Sequence, residues 1–376
     1  MNAAWPLPTD TASAADRLLG GTRLLDTPLR LCANGCELVI RSNSGPLLER
    51  LVAYFAHLPP TPTDTSIEIV AVESPVCDTG WPFVDWRREP GKRGRKDAIL
   101  ELADGRLVLK VRTGMLFLQS AHRRIAVGPC LANDNQLINY INSQLMNRLQ
   151  QRGWLICHAA ALGEGDRAVA LAGFSGNGKS TLMLRLMELP GYRYLTNDRL
   201  FLRAEARGVM AVGIPKLPRI NPGTLVNNPR LAPLLPAARR AELLQLPKQR
   251  LWELEEKHDV DVAAVYGKDR IDTSTSLPLS ALLILNWRRD AATPTMLQKV
   301  VLTERRDLLP AVMKTPGPFY QDSDGRFQRD DDPLPESDYL QLLSAVEVIE
   351  VTGRIDFDRL LELWVGHTQM DKTAPV

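Results

Sequence analysis

The feature that most constrains this chain is the run Ala168-Val-Ala-Leu-Ala-Gly173-Phe-Ser-Gly176-Asn-Gly178-Lys179-Ser180-Thr181, continued by the apolar stretch Leu182–Leu189. It fits G-x-x-x-x-G-K-[ST] at every fixed position, and it joins a short apolar segment to one with helical character. A chain that turns from a buried strand through bare backbone into a helix commits itself to a layered α/β arrangement. The residue types carry chemistry as well. Gly173, Gly176 and Gly178 remove side chains where backbone N–H groups must close on a polyphosphate. The helix begins at Lys179 with its positive end toward the phosphates. The Lys179 ammonium can reach the β and γ phosphates, and the Ser180 hydroxyl offers one Mg2+ position. Ser175, Asn177 and Thr181 complete the expected nucleotide-binding set.

The segments before and after the loop fix its surroundings. Trp154–Leu162 and Ala168–Gly173 read as strands covered on both faces, because their apolar runs are nearly continuous. Tyr192–Arg203 reads as the next strand and contains Thr196-Asn197-Asp198-Arg199. Asp198 follows Lys179 by 19 residues. A strand end beside a helix N-terminus is where a crossover returns the chain to the phosphates, so Asp198 is the candidate carboxylate for Mg2+ and for the acceptor's proton. Ser280–Trp287 is a later buried strand, 337–353 a helix running into a strand, and 355–367 a closing helix.

The N-terminal third has a different texture. Residues 1–22 show no periodicity and read as a loose arm. Asn34-Gly35 and Asp104-Gly105 each separate two alternating runs and predict hairpins. Residues 44–58 carry apolar residues at helical spacing, and 66–74 reads as a strand. Residues 23–135 are therefore expected to form a mixed α+β domain, with the helix 136–153 leading into an α/β P-loop domain over 136–367 and a tail over 368–376. The stretch 321–338 is acidic, lacks EF-hand spacing and reads as a solvated loop.

Composition excludes several classes. At 376 residues and 44% hydrophobic, the chain can bury sizeable cores. Lys plus Arg number 46 against 44 Asp plus Glu, a net charge of +2, so global charge recruits neither nucleic acid nor membrane. The basic run 86–97 has no interleaved aromatics and reads as a solvated loop rather than a nucleic-acid platform. Five cysteines form no dense framework, Cys32 and Cys36 lack a second metal-ligand pair, and no apolar stretch approaches the roughly 20 residues of a membrane span. The expectation is a cytoplasmic protein with no nucleic-acid or membrane partner.

Cys157-His158, Gly173 to Ser180 and Thr196 to Arg199, in that order, resemble the HPr kinase/phosphorylase superfamily, which carries a His on a strand, a turn, a second strand into G-x-S-G-x-G-K-S, and an acid pair after the next short strand. The segment Pro215-Lys-Leu-Pro-Arg-Ile-Asn-Pro-Gly-Thr224 and the N-terminal layout resemble the HPr-kinase-related kinases of the B type. The resemblance covers about 150 to 205 well and extends more weakly to about 290. It implies an HPr-kinase-like fold and an ATP- and Mg2+-dependent kinase whose acceptor is a hydroxyl of a protein or small molecule. It also raises homo-oligomerisation as an expectation. Lys179 and Ser180 match the family positions, and Asp198 matches the second acid. Asn197 stands where the family has its first acid, and an amide cannot serve as a carboxylate base. That leaves Asp198 with both tasks or with help from His158, whose imidazole is of the type that titrates near neutrality. Lys216 and Arg219 are implied as holders of the acceptor or of the transferred phosphoryl group. The alternative is a nucleotide-binding regulatory or assembly module with little or no catalysis.

Overall fold

The computed structural model describes residues 5–58, 65–87 and 94–373, the last four of these by backbone alone. The chain divides into two compact units: residues 1–154 with 315–334, and residues 155–314 with 335–376. No helix among the described residues is long and apolar enough to cross a membrane.

The first unit is built on an eight-stranded sheet. Its strands are β1 (Leu29–Ala33), β2 (Cys36–Ser42), β3 (Ser66–Glu73), β4 (Val84–Asp85), β5 (Asp97–Leu102), β6 (Gly105–Lys110), β7 (Met115–Gln119) and β8 (Arg124–Gly128), in the order β1-β2-β3-β8-β7-β6-β5-β4. The β2–β3 and β3–β8 pairs are parallel and the others antiparallel. The expected hairpin at Asn34-Gly35 forms with φ of 52° and 68°, as a tight two-residue turn requires. At the second hairpin Leu102 pairs with Gly105, so the turn residues are Ala103 and Asp104 rather than Asp104 and Gly105. Gly105 answers a different need, since a Cβ there would lie 2.3 Å from Thr11 Cγ2 and 2.8 Å from the Gln119 carbonyl oxygen.

That contact corrects the loose-arm expectation for 1–22. Thr11–Leu19 forms helix α1, capped by Asp10 and burying Ala14, Ala15 and Leu18. Thr11 donates from its backbone N and its Oγ1 to the Asp104 carboxylate at 2.7 and 2.6 Å. Helix α2 (Gly45–Tyr54), capped by Ser44, and helix α3 (Asp134–Gln151) supply Leu47, Leu51, Leu137, Ile141 and Leu145 to a core shared with β1, β2, β3 and β7. The boundary expected at 136 therefore lies at 154, because the apolar stripe of α3 is buried within the first unit. Residues 315–334, part of the expected acidic loop, return to the same unit. Phe319 packs edge-on to Phe117 and Tyr140 at 5.5 and 5.1 Å, while Arg106 Nη1 donates to the carbonyls of Pro318 and Gln328. Of the basic run 86–97, residues 88–93 lie outside the described residues.

The second unit holds β9 (Leu155–Cys157), β10 (Ala159–Glu164), β11 (Arg167–Gly173), helix α4 (Lys179–Met187), β12 (Tyr192–Thr196), β13 (Leu200–Glu205) and β14 (Gly208–Val212). A stretch of short elements follows: β15 (Arg219–Ile220), α5 (Pro222–Val226), α6 (Ala237–Gln245), α7 (Lys248–Glu253), β16 (His258–Asp259) and α8 (Val262–Tyr266). The unit closes with β17 (Leu277–Leu285), β18 (Met296–Lys299), α9 (Glu336–Leu343), β19 (Glu347–Thr352) and α10 (Phe357–Thr373). Helix α10 thus runs through most of the expected 368–376 tail.

Strand β17 is the axis of this sheet, pairing parallel with β11 on one side and β19 on the other. The two faces read directly from period-2 alternation. Val169, Leu171, Leu283, Leu285, Ile349 and Val351 enter one core with α4 and α10. Ala168, Ala170, Ala172, Leu282, Ile284 and Val348 enter the other with α9. Burial on both faces is why β11 and β17 carry only Arg167, exposed at a strand start, and Ser280, whose hydroxyl donates to the Ala168 carbonyl, among apolar residues. The expected single strand 192–203 is instead two. β12 pairs with β10, and β13 pairs with β9 and β14. Residues 197–199 sit in the break between them.

Candidate functional site

The loop between β11 and α4 has the conformation its glycines permit. Gly176 and Gly178 hold φ of 84° and 83°, a region closed to most L-residues. Gly178 is doubly required, since a Cβ there would stand 2.6 Å from the Phe357 ring. Trp287 Nε1 donates to Asn177 O, Asn177 Nδ2 donates to Leu285 O, and the Asn177 N–H donates to Phe174 O. Asn177 is thus a strut that ties the loop to the end of β17. Trp287 stacks edge-on against Phe357 at 5.0 Å, which braces the loop from behind. No side chain caps α4, so its first N–H groups face the cleft without an intrahelical acceptor.

The acid after the loop is displayed by a tight turn. Thr196 Oγ1 accepts from Arg199 N and donates to Arg199 O, folding 196–199 back on itself at the end of β12. Asp198 then meets an imidazole and two cations. His158 Nε2 lies 3.0 Å from Oδ1, Lys179 Nζ 3.6 Å from Oδ1, and Arg199 Nη1 2.7 Å from Oδ2. Lys179 also donates to the His158 carbonyl at 3.3 Å. His158 occupies the joint between β9 and β10, where its N–H is fixed by the Val312 carbonyl at 2.7 Å.

Burial pushes the Asp198 carboxyl up, but Arg199, the hydrogen bond from His158 and the Lys179 charge together outweigh it and hold the group well below the usual carboxylate range. Burial pushes the Lys179 ammonium down to about 8, partly countered by Asp198. Lys216 is likewise brought down to about 8 by burial and by the nearby Arg199 charge, with Asp198 acting in the opposite sense.

These groups line one cleft of about 1130 Å³. It contains His158, the loop 173–181, 196–199, Lys216, Arg219, Thr224, Trp252 and Phe357. Every residue singled out from the sequence as catalytic, phosphate-binding, metal-holding or acceptor-binding lies on its wall. The wall also carries groups that no motif announced: Lys248, Lys257, Arg289 and Arg354. Among the described residues its charged lining is eight Lys or Arg against Asp198 and Glu253, so the cleft is built for an anion of high charge. The roles of Arg199 and Phe357 were missed as well. The dipeptide Asp198-Arg199 was a visible signal for the first, whereas nothing in the sequence relates Phe357 to Gly178.

The strand beside β11 ends Leu285-Asn286-Trp287 and offers the cleft no carboxylate. The acid nearby, Glu350, is buried and consumed by Arg305 and by Asn286 Nδ2 at 2.7 Å. Asp198 is therefore the carboxylate within reach of Lys179. A Mg2+–triphosphate fits this set. The bare loop and free helix end suit the phosphates, and the Ser180 hydroxyl and Asp198 carboxylate are hard oxygen donors. Among the described residues no group of three His, Cys, Asp or Glu side chains could hold a metal alone, which accords with an ion that shares phosphate oxygens.

No family model and no curated protein matches the chain. Among solved structures it is similar to the Hpr(Ser) kinase/phosphatase from Coxiella burnetii, at 12% identity and a TM-score of 0.31 over 58% of this chain and 99% of that one. A likeness of that degree fixes neither family nor chemistry.

Proposed function

We propose that the second unit is a kinase. It binds a Mg2+ nucleoside triphosphate, ATP in the first instance, and transfers the γ-phosphoryl group to a hydroxyl acceptor. The observation that carries this reading is the juxtaposition of Lys179 at the bare start of α4 with Asp198, 3.6 Å away, in a cleft of strongly cationic lining. On the sequence pattern at 157–158, 173–180, 196–199 and 215–224, we further propose a cytoplasmic relative of the HPr kinase/phosphorylases, of the B type.

The loop amides and Lys179 hold the β and γ phosphates and neutralise charge as the phosphoryl group moves. Ser180 and Asp198 would hold Mg2+, which would supply further charge neutralisation. The acceptor oxygen forms the new bond to the γ-phosphorus, the bond to the bridging oxygen breaks, and its electron pair leaves on the nucleoside diphosphate. The acceptor's proton passes to the His158–Asp198 pair. Because Arg199, Lys179 and the hydrogen bond from His158 depress the basicity of Asp198, it takes the proton late, when the attacking oxygen has become acidic. A loose transition state permits that order. Asn197 lines the same wall, and its Oδ1 is buried with no hydrogen-bond partner among the described residues. As an amide it orients but does not remove a proton.

Asn197 also favours a second reading, a nucleotide-binding regulatory module with weak or no transfer. γ-Labelled ATP separates the two. Label that moves to an acceptor in the wild type and not in Asp198→Asn supports the kinase. Stoichiometric nucleotide binding with no transfer under any acceptor supports the module.

A further inference from the structure

The cleft is larger and more cationic than a nucleotide alone requires. Its volume of about 1130 Å³ exceeds the roughly 300–1,000 Å³ typical of a single small-ligand site. Of its eight cations, Lys179 and Arg199 share the single charge of Asp198, and Arg219 pairs with Asp259 at 3.0 Å. Lys216, Lys248, Lys257, Arg289 and Arg354 form no ion pair among the described residues.

These five fall into two groups. Arg289 and Arg354 belong to the Trp287–Phe357 side that braces the loop, where the Arg288 and Arg354 backbones pair. Lys216, Lys248 and Lys257 belong to the 215–259 stretch. Lys216 lines the cleft together with Asp198, Arg199, Arg219 and Lys257. Its own carbonyl is pinned by Tyr194 Oη at 2.6 Å, which fixes the backbone that projects this ammonium. A half-buried cation among other cations, with no carboxylate to answer it, is unfavourable unless an anion completes it.

Resting on the kinase reading, we propose that the acceptor is a small hydroxyl compound that itself carries a phosphate or carboxylate group, bound by Lys216 and Lys257 beside Asp198 while the nucleotide fills the loop side. A protein serine or threonine would bring a neutral loop tip and leave Lys216 unanswered. A small anion brings its hydroxyl to Asp198 and its charge to the two lysines, so the same contact that binds the acceptor also orients it.

Calorimetry on the full chain tests this in two steps. The first titrates Mg2+ and a non-hydrolysable ATP analogue, and absence of binding there overturns the nucleotide reading itself. The second titrates inorganic phosphate, or acetate in its place, into the analogue-saturated protein. Binding of one of them is expected, and which one identifies the anion. Lys216→Met should weaken it about tenfold or more with little change in analogue affinity, and Lys216→Arg should restore much of it. Failure of both anions to bind, or undiminished binding by Lys216→Met, overturns the acceptor proposal while leaving the kinase reading intact. Incubation with γ-labelled ATP and a whole-cell extract settles the size of the acceptor. Label in an anionic compound that passes a small-molecule filter supports the proposal, and label confined to protein overturns it.

Discussion

The two units treat buried positive charge in opposite ways. In the first, Arg106 is 1% exposed, and every direction around it is filled. Glu101 pairs with it, two backbone carbonyls accept from it, and the Trp86 and Phe327 rings lie 5.4 and 4.5 Å from its guanidinium. Lys110 is answered in the same way by Asp97 at 2.7 Å and by the Phe319 ring. In the second unit Lys216 and Lys257 line a cleft and form no ion pair among the described residues. A saturated charge has been spent on holding chain segments together, here the return of 315–334 to its sheet. An unsaturated one retains its binding energy for something outside the chain.

The sharpest way to break that contrast is Lys179→Met. It should cut phosphoryl transfer by about 10²–10³-fold or more, measured as initial rate with labelled ATP, while the thermal midpoint stays near that of the wild type. Unchanged turnover would reduce the loop to a structural turn. Next is Asp198→Asn, for which about a 10²-fold or greater loss of transfer is expected with analogue affinity retained within a few-fold. Weakened folding without a catalytic effect would make Asp198 a structural partner of Arg199.

In the first unit the expected effect is on stability. Arg106→Met removes the partner of two carbonyls and should cost about 2–4 kcal/mol in denaturant titration, whereas Lys216→Met removes a cation that burial disfavours and should leave stability unchanged or raise it. Equal costs would erase the distinction between the units.

The smallest effect is in pH. Lys179 and Lys216 titrate near 8 in the folded chain, below the ordinary lysine value of about 10.4. Between those values the unfolded chain holds more protons, so these two lysines weigh against folding below about pH 8 and less so as the pH climbs. The midpoint of the wild type should therefore gain on that of a Lys179→Met/Lys216→Met double variant from about pH 7.5 to about pH 9.5. Thermal melts read this directly, and a constant difference would show that neither lysine is desolvated.

Local rules went far in this molecule. The Asn34-Gly35 hairpin, the buried strands β11 and β17, and the loop into α4 are written in short-range residue choice, because φ > 0, double-sided burial and a free helix end each demand particular residue types. The N-terminal helix α1 escaped because its capping partner at N3 is Ser13 rather than Glu or Gln, and because its anchor, Asp104, lies 93 residues away. The return of 315–334 escaped because polar, acidic spacing hid a single aromatic, Phe319, that fills a core built elsewhere.

What the sequence by itself determined is the phosphate-gripping loop and the acid that follows it, since bare backbone, a helix start and a turn are all set by neighbours along the chain. Only the tertiary structure decided which cations share the cleft, which of them are already neutralised and that Phe357 stands over Gly178. Charge balance and steric exclusion are properties of residues brought together from more than a hundred positions apart, and no local pattern records which of them will meet.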